Sequence, residues 1–135
     1  MSDVAVEVRW AEDQRFEANG KNGASQVVDG RAEVAPSPME GLLISLAGCM
    51  GVDVVEILKK SRVPLDGLVV RAEGDRHPEP PRRYTAVRLI YEVSGVPEGE
   101  RSKLQRAVDL SRDRYCSVLH TLQPDLALSI RVEAG

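Results

Sequence analysis

The chain is poor in cysteine. Two residues, Cys49 and Cys116, stand 67 positions apart in a sequence of 135. That is too few for a disulfide-stapled secreted scaffold and for any four-cysteine zinc or iron–sulfur motif. No charge sign dominates either: 18 Lys and Arg oppose 21 Asp and Glu, a net charge of -3. Such a balance offers no general pull toward polyanions and argues against nucleic-acid binding as the main task. No stretch reaches the ~18 apolar residues of a membrane span, and Met1 to Trp10 has neither the basic flank nor the apolar core of a signal peptide. The expectation is a cytoplasmic protein with no membrane and no nucleic-acid partner. Neither a P-loop nor a G-x-G-x-x-G follows a strand, and internal repeats, low-complexity tracts and linkers are missing.

What remains is ordinary globular material, 42% hydrophobic and 29% charged. A single domain over residues 1–135 is expected, burying roughly two-thirds of the surface of its unfolded chain.

From Val4 to Trp10 apolar and polar residues alternate, which predicts a half-buried strand. Arg15 to Ala18 predicts a second strand, the Asn- and Gly-rich run at 19–23 a turn, and Ser25 to Asp29 a third strand, giving an antiparallel meander. Ser37-Pro38 joins a capping residue to a proline suited to the first helical position, so a helix is expected from there to about Lys60, ahead of Pro64. Gly41 to Val52 carries no charge, which predicts a central place for this helix. Strands are expected at Leu68–Ala72, Tyr84–Val93 and Leu126–Val132, a proline loop at His77–Pro81, and a second, amphipathic helix over Glu98–Tyr115. The class is α+β, an antiparallel sheet with one long apolar helix and one amphipathic helix.

On a helical wheel Ile44, Ala47, Met50, Gly51, Val54, Val55 and Leu58 form one arc, whereas Cys49 shares its side with Ser45, Asp53, Glu56 and Lys60. A thiol on the more polar flank is either an unreactive structural group or a nucleophile. Asp53, four residues on, would oppose a thiolate, and the helix N-terminus lies three turns away, beyond the reach of its dipole. A cation from elsewhere is required: Arg15, Arg76 and Arg112 are the candidates. If helical geometry continues through Cys116, Arg112 and His120 flank it at four residues on either side. Three readings stay open: a Cys49–Cys116 redox pair, a metal site of Cys49, Cys116 and His120, or a helix-end histidine. Glu40 reads most simply as a partner of the helix dipole.

The run from Ser37 to Cys49, with Asp53-Val54-Val55 and Leu58-Lys59-Lys60 after it, resembles the first-cysteine helix of the OsmC/Ohr family of osmotically inducible and organic hydroperoxide resistance proteins. Arg106 to Ser111 and Tyr115 to Val118 resemble its second-cysteine helix, and Tyr84 to Gly95 its intervening strand. The likeness covers nearly the whole chain and is closer to the OsmC-like branch. It implies an intertwined homodimer and a cofactor-independent thiol peroxidase of peroxiredoxin type, acting in the oxidative stress response. In that implied scheme Cys49 attacks an organic hydroperoxide or hydrogen peroxide, Cys116 resolves the sulfenic acid, and a dithiol reductant opens the disulfide. Arg15 is the nearest match to the family's second-strand arginine and Glu40 a candidate to orient it. The family's glutamate stands ten positions before the first cysteine, where this chain has Met39 and places Glu40 one residue later. A non-catalytic dimer that binds a small apolar ligand or senses redox state is the alternative.

Overall fold

The computed structural model describes residues 2–135, which divide into two compact units, one through Leu42 and one over Leu43–Gly135. The class is α+β, as expected.

The first unit holds an antiparallel sheet of β1 (Glu7–Glu12), β2 (Arg15–Asn19) and β3 (Ser25–Asp29) in sequence order. Asn22 and Gly23, both at positive φ, turn the chain between β2 and β3, as their residue types predict. The predicted start of the first strand does not hold. Val4 and Val6 lie outside β1, and all six β1 residues are exposed, including Trp10. Alternation produces a half-buried strand only where a second layer covers one face, and this unit has no second layer of its own.

Helix α1 (Pro38–Lys60) begins and ends where the sequence predicts. Its start is a capping box: the Glu40 N–H donates to Ser37 Oγ (3.2 Å) and the Ser37 N–H to Glu40 Oε1 (3.0 Å). Its end is a Schellman turn, with the Val63 N–H on the Leu58 carbonyl (2.9 Å), the Arg62 N–H on the Lys59 carbonyl (3.1 Å), and Arg62 at φ 58. By length and composition α1 could cross a membrane, with a mean hydropathy of 1.9 over its most apolar window. The uncharged run Gly41–Val52 alone understates this. In the folded chain α1 instead lays a stripe of Leu46, Met50, Val54 and Leu58 into the core of the second unit. Ile44 and Val55, on the apolar arc of the wheel, are exposed, so burial follows a narrower i, i+4 row than that arc.

The second unit's sheet has the order β4 (Gly67–Arg76), β5 (Tyr84–Ser94), β6 (Ala127–Ala134). Val87, Leu89, Tyr91 and Val93 of β5 are buried together, as the alternation predicts. β4 is antiparallel to β5, but β6 runs parallel to it, which corrects the expectation of a wholly antiparallel sheet. A parallel neighbour needs a crossover, and residues 98–121 supply it. The expected helix over Glu98–Tyr115 is subdivided: a 3₁₀ turn (Glu98–Glu100), α2 (Arg101–Leu110) and a π turn (Ser111–Tyr115), followed by short α3 (Ser117–Thr121). Leu104, Ala107 and Val108 of α2 join Cys116 in the core.

Candidate active site

Cys116 sits at the break between the π turn and α3. Its backbone is extended (φ -71, ψ 103), so helical geometry does not pass through it. The expected flanking of the thiol by Arg112 and His120 therefore fails. Arg112 turns to Asp113 (2.8 Å) and Asp109 (3.5 Å). His120 Nδ1 lies 2.8 Å from the Cys116 carbonyl, which only accepts, so this nitrogen donates.

The π turn instead aims the Cys116 side chain at α1. Cys49 Sγ, Cys116 Sγ and an Asp53 carboxylate oxygen all lie within 4.8 Å of one another. Both cysteines are free thiols; Cys116 is fully buried and Cys49 half-buried. Ser111, also fully buried, donates from Oγ to Asp53 Oδ2 at 2.8 Å. The Leu119 N–H donates to Cys116 Sγ at 3.4 Å. Burial pushes the Cys116 thiol up to about 11; the Leu119 N–H opposes this, and Cys49 and Asp53 add to it. Close by, the Tyr91 hydroxyl is buried without a hydrogen-bond partner, and its proton affinity is raised by burial and by the charges of Cys116 and Asp53. Among the described residues of the second unit, no cationic side chain forms a hydrogen bond or ion pair with either sulfur. The cluster is thus rich in negative or potentially negative groups.

The other two residues singled out from the sequence belong to the first unit. Arg15 stands opposite Asp29 in the β2–β3 register, with Nε 3.5 Å from Oδ2. Asp29 is completely buried and accepts from the N–H groups of Arg31 (2.9 Å), Glu33 (3.1 Å) and Val34 (3.0 Å). The Val34 and Arg31 amides chiefly, then Glu33 and Arg15, hold its carboxyl below the ordinary value against the cost of burial. The carboxylate paired with Arg15 is therefore Asp29, while Glu40 is engaged in its capping box. Asp29, Ser111 and Tyr91 were not singled out from the sequence. Signals existed for two of them: Asp29 before Gly30 is a turn-forming pair at a strand end, and Tyr91 puts a polar tip on the inward face of an alternating strand.

Known proteins share this fold. A family model described as OsmC-like protein matches residues 29–131. Protein YhfA of Escherichia coli K12 is 37% identical over 121 residues, covering 89% of this chain and 90% of that one. A hypothetical protein from Aquifex aeolicus VF5, known from its crystal structure, is 32% identical with a TM-score of 0.88, covering 100% of this chain and 98% of its own. More distant is the organic hydroperoxide resistance protein OhrB of Bacillus subtilis. At 13% identity and TM-score 0.62, covering 99% of this chain and 98% of that one, it shares the fold.

Proposed function

The chain belongs to the OsmC-like protein family, and from that premise we propose that it is a cysteine-based peroxidase that reduces organic hydroperoxides to alcohols. The observation that carries the reading is the approach of two free thiols, far apart in sequence, to within 4.8 Å. The kinship in fold with a protein named for organic hydroperoxide resistance supports the substrate class.

Exposure supports a division of roles in this reading. Half-buried Cys49 meets the peroxide, and its thiolate attacks the terminal oxygen. The O–O bond breaks, the alkoxide takes a proton and leaves as alcohol, and Cys49 becomes a sulfenic acid. Buried Cys116, with its proton held up to about 11, stays a thiol until then. Its sulfur displaces the sulfenic hydroxyl as water, and a dithiol reductant returns two electrons and two protons. This chemistry needs no metal or organic cofactor.

Ionising a nucleophilic thiol is not the whole task of such a site. At an ordinary thiol pKa of about 8.5 some 3% is thiolate at pH 7, so full ionisation gains about thirtyfold, and lost nucleophilicity gives back about tenfold of that. A fixed guanidinium that also holds the peroxide contributes more. We assign that role to Arg15, whose Nε lies 3.5 Å from Asp29 Oδ2. The reading further includes a homodimer in the cytoplasm. An exposed apolar groove of about 600 Å³ along α1, lined by Ile44, Gly48, Val52, Val55 and Val70, supports a second chain there.

Free-thiol counting during stoichiometric addition of cumene hydroperoxide tests the proposal. Loss of two thiols with a mapped Cys49–Cys116 crosslink is expected; retention of both overturns it. The same groove supports the second reading, a non-catalytic binder of a small apolar ligand. Equal ligand affinity in wild type and Cys49→Ser, with negligible peroxide turnover by either, would favour that instead.

A further inference from the structure

We propose that in the reduced protein Cys49, Cys116 and Asp53 form a zinc site, with solvent as fourth ligand, and that oxidation of the two sulfurs expels the ion. The inference reaches beyond the peroxide reading and does not depend on it.

The donor set is the first argument. Two thiolates and a carboxylate are the soft and borderline ligands that suit zinc, and three protein ligands with an open fourth position make an exchangeable site. Magnesium and calcium demand an oxygen-rich shell that this cluster lacks. Geometry is the second. In a tetrahedral zinc site, metal–ligand bonds of about 2.3 Å to sulfur and 2.0 Å to oxygen put the two sulfurs roughly 3.8 Å apart and each sulfur roughly 3.5 Å from the oxygen. All three ligand atoms already lie within 4.8 Å, so closing on the ion takes at most about 1.0 Å of movement between the sulfurs and about 1.3 Å between each sulfur and the oxygen. Such a shift is within the reach of side-chain torsions.

The surroundings supply the third argument. Ser111 donates to Asp53 Oδ2 at 2.8 Å, an outer contact of the kind that orients a ligating carboxylate while leaving it further lone pairs for a metal. The Tyr91 hydroxyl is fully buried and has no hydrogen-bond partner among the described residues. A buried donor without an acceptor is costly, and a zinc-bound water beside the cluster is an acceptor of the right kind. A dication also reverses the local electrostatics, since the neighbours that disfavour a thiolate in the free cluster become its fellow ligands. His120, a ligand candidate from the sequence, is turned to the Cys116 carbonyl, and Asp53 takes its place.

Release follows from the chemistry. A two-electron oxidant of the diazene class, such as diamide, takes two electrons from the sulfurs, which join as a disulfide. The diazene, gaining those electrons and two protons, becomes a hydrazine, and the ion, left with one carboxylate, passes to solvent.

Cobalt(II) is the probe. Titrating it into reduced, reductant-free protein should fill one site per chain, with the near-ultraviolet thiolate charge-transfer band and intense visible bands of a tetrahedral centre. Zinc should erase both and diamide should discharge the metal. Losing an outer-shell partner usually costs about 10–100-fold in affinity. Ser111→Ala is accordingly expected to weaken cobalt binding by about tenfold, and Cys116→Ser and Asp53→Ala by at least about 100-fold, with circular dichroism verifying each fold. Less than half an equivalent bound, weak octahedral spectra without the charge-transfer band, or full binding after diamide would overturn the site, and these need only the wild type. No hydroperoxide enters the test. Cobalt binding without peroxide reactivity would overturn the peroxidase alone, and peroxide reactivity without cobalt binding the zinc site alone.

Discussion

Each of the chain's two units is stabilised internally, and by opposite means. Among the described residues of the first, Asp29 alone is buried, and its carboxylate collects three backbone N–H groups and a guanidinium. The second is organised around an apolar core drawn from α1, β5 and α2, with the sulfur cluster bordering it. In the first, the polar group is saturated and supports the structure. In the second, Cys116 receives one N–H and Tyr91 none, a deficit that packing elsewhere in the core can carry. Unsatisfied polarity beside a sound core calls for an explanation, and the proposed chemistry at the sulfur cluster is one.

Substitutions test this contrast. Cys49→Ser should have the largest effect, slowing peroxide-dependent loss of the remaining thiol by at least about 10³-fold while leaving the melting temperature nearly unchanged. A large fall in melting temperature would make the sulfur cluster structural and erase the contrast. Leu58→Ala should remove about 2–5 kcal/mol from the second unit, read from the urea midpoint, because Leu58 is 1% exposed within the core. Asp29→Asn turns an amide NH₂ or a single oxygen toward three backbone donors. The Arg31, Glu33 and Val34 amides should then exchange at least about tenfold faster. Acid should do the same. Because the folded carboxyl is held below its ordinary value, its stabilisation is whole above about pH 4 and is lost as pH falls below that, through the folded value. Loss instead on raising the pH from neutrality would contradict the assignment. Tyr91→Phe should have the smallest effect, from neutral to about 1 kcal/mol of added stability, since the hydroxyl it removes is unpaired. A clear loss of stability would mean that the hydroxyl has a partner.

Much of this architecture was legible where local chemistry decides it. Ser37, Pro38 and Glu40 announce the start of α1, and Lys59, Lys60 and Pro64 its close; β3 and β5 follow from alternation and turn residues. Long-range choices were not legible. Nothing in the alternation of Leu126 to Val132 states whether that strand runs parallel or antiparallel to its neighbour. The π turn at Ser111–Tyr115 contains neither glycine nor proline to mark a break. At the candidate site, the wheel set Cys49 and Asp53 on the polar flank of α1, which is correct as chemistry. That flank is not simply wet, however, because Cys116 and Ser111 bring matching polar groups against it. Arg15 was chosen by resemblance; its pairing with Asp29 depends on register, which a sequence states only indirectly.

The wide separation of the two sulfurs has a consequence for endurance. A covalent bond between Cys49 and Cys116 would tie off a loop spanning half the chain, and denying that loop to the disordered ensemble favours the native state by about 4 kcal/mol. Spent protein awaiting its reductant would then be the sturdier form, harder to melt and slower to be digested, and each recharging would return it to a softer state.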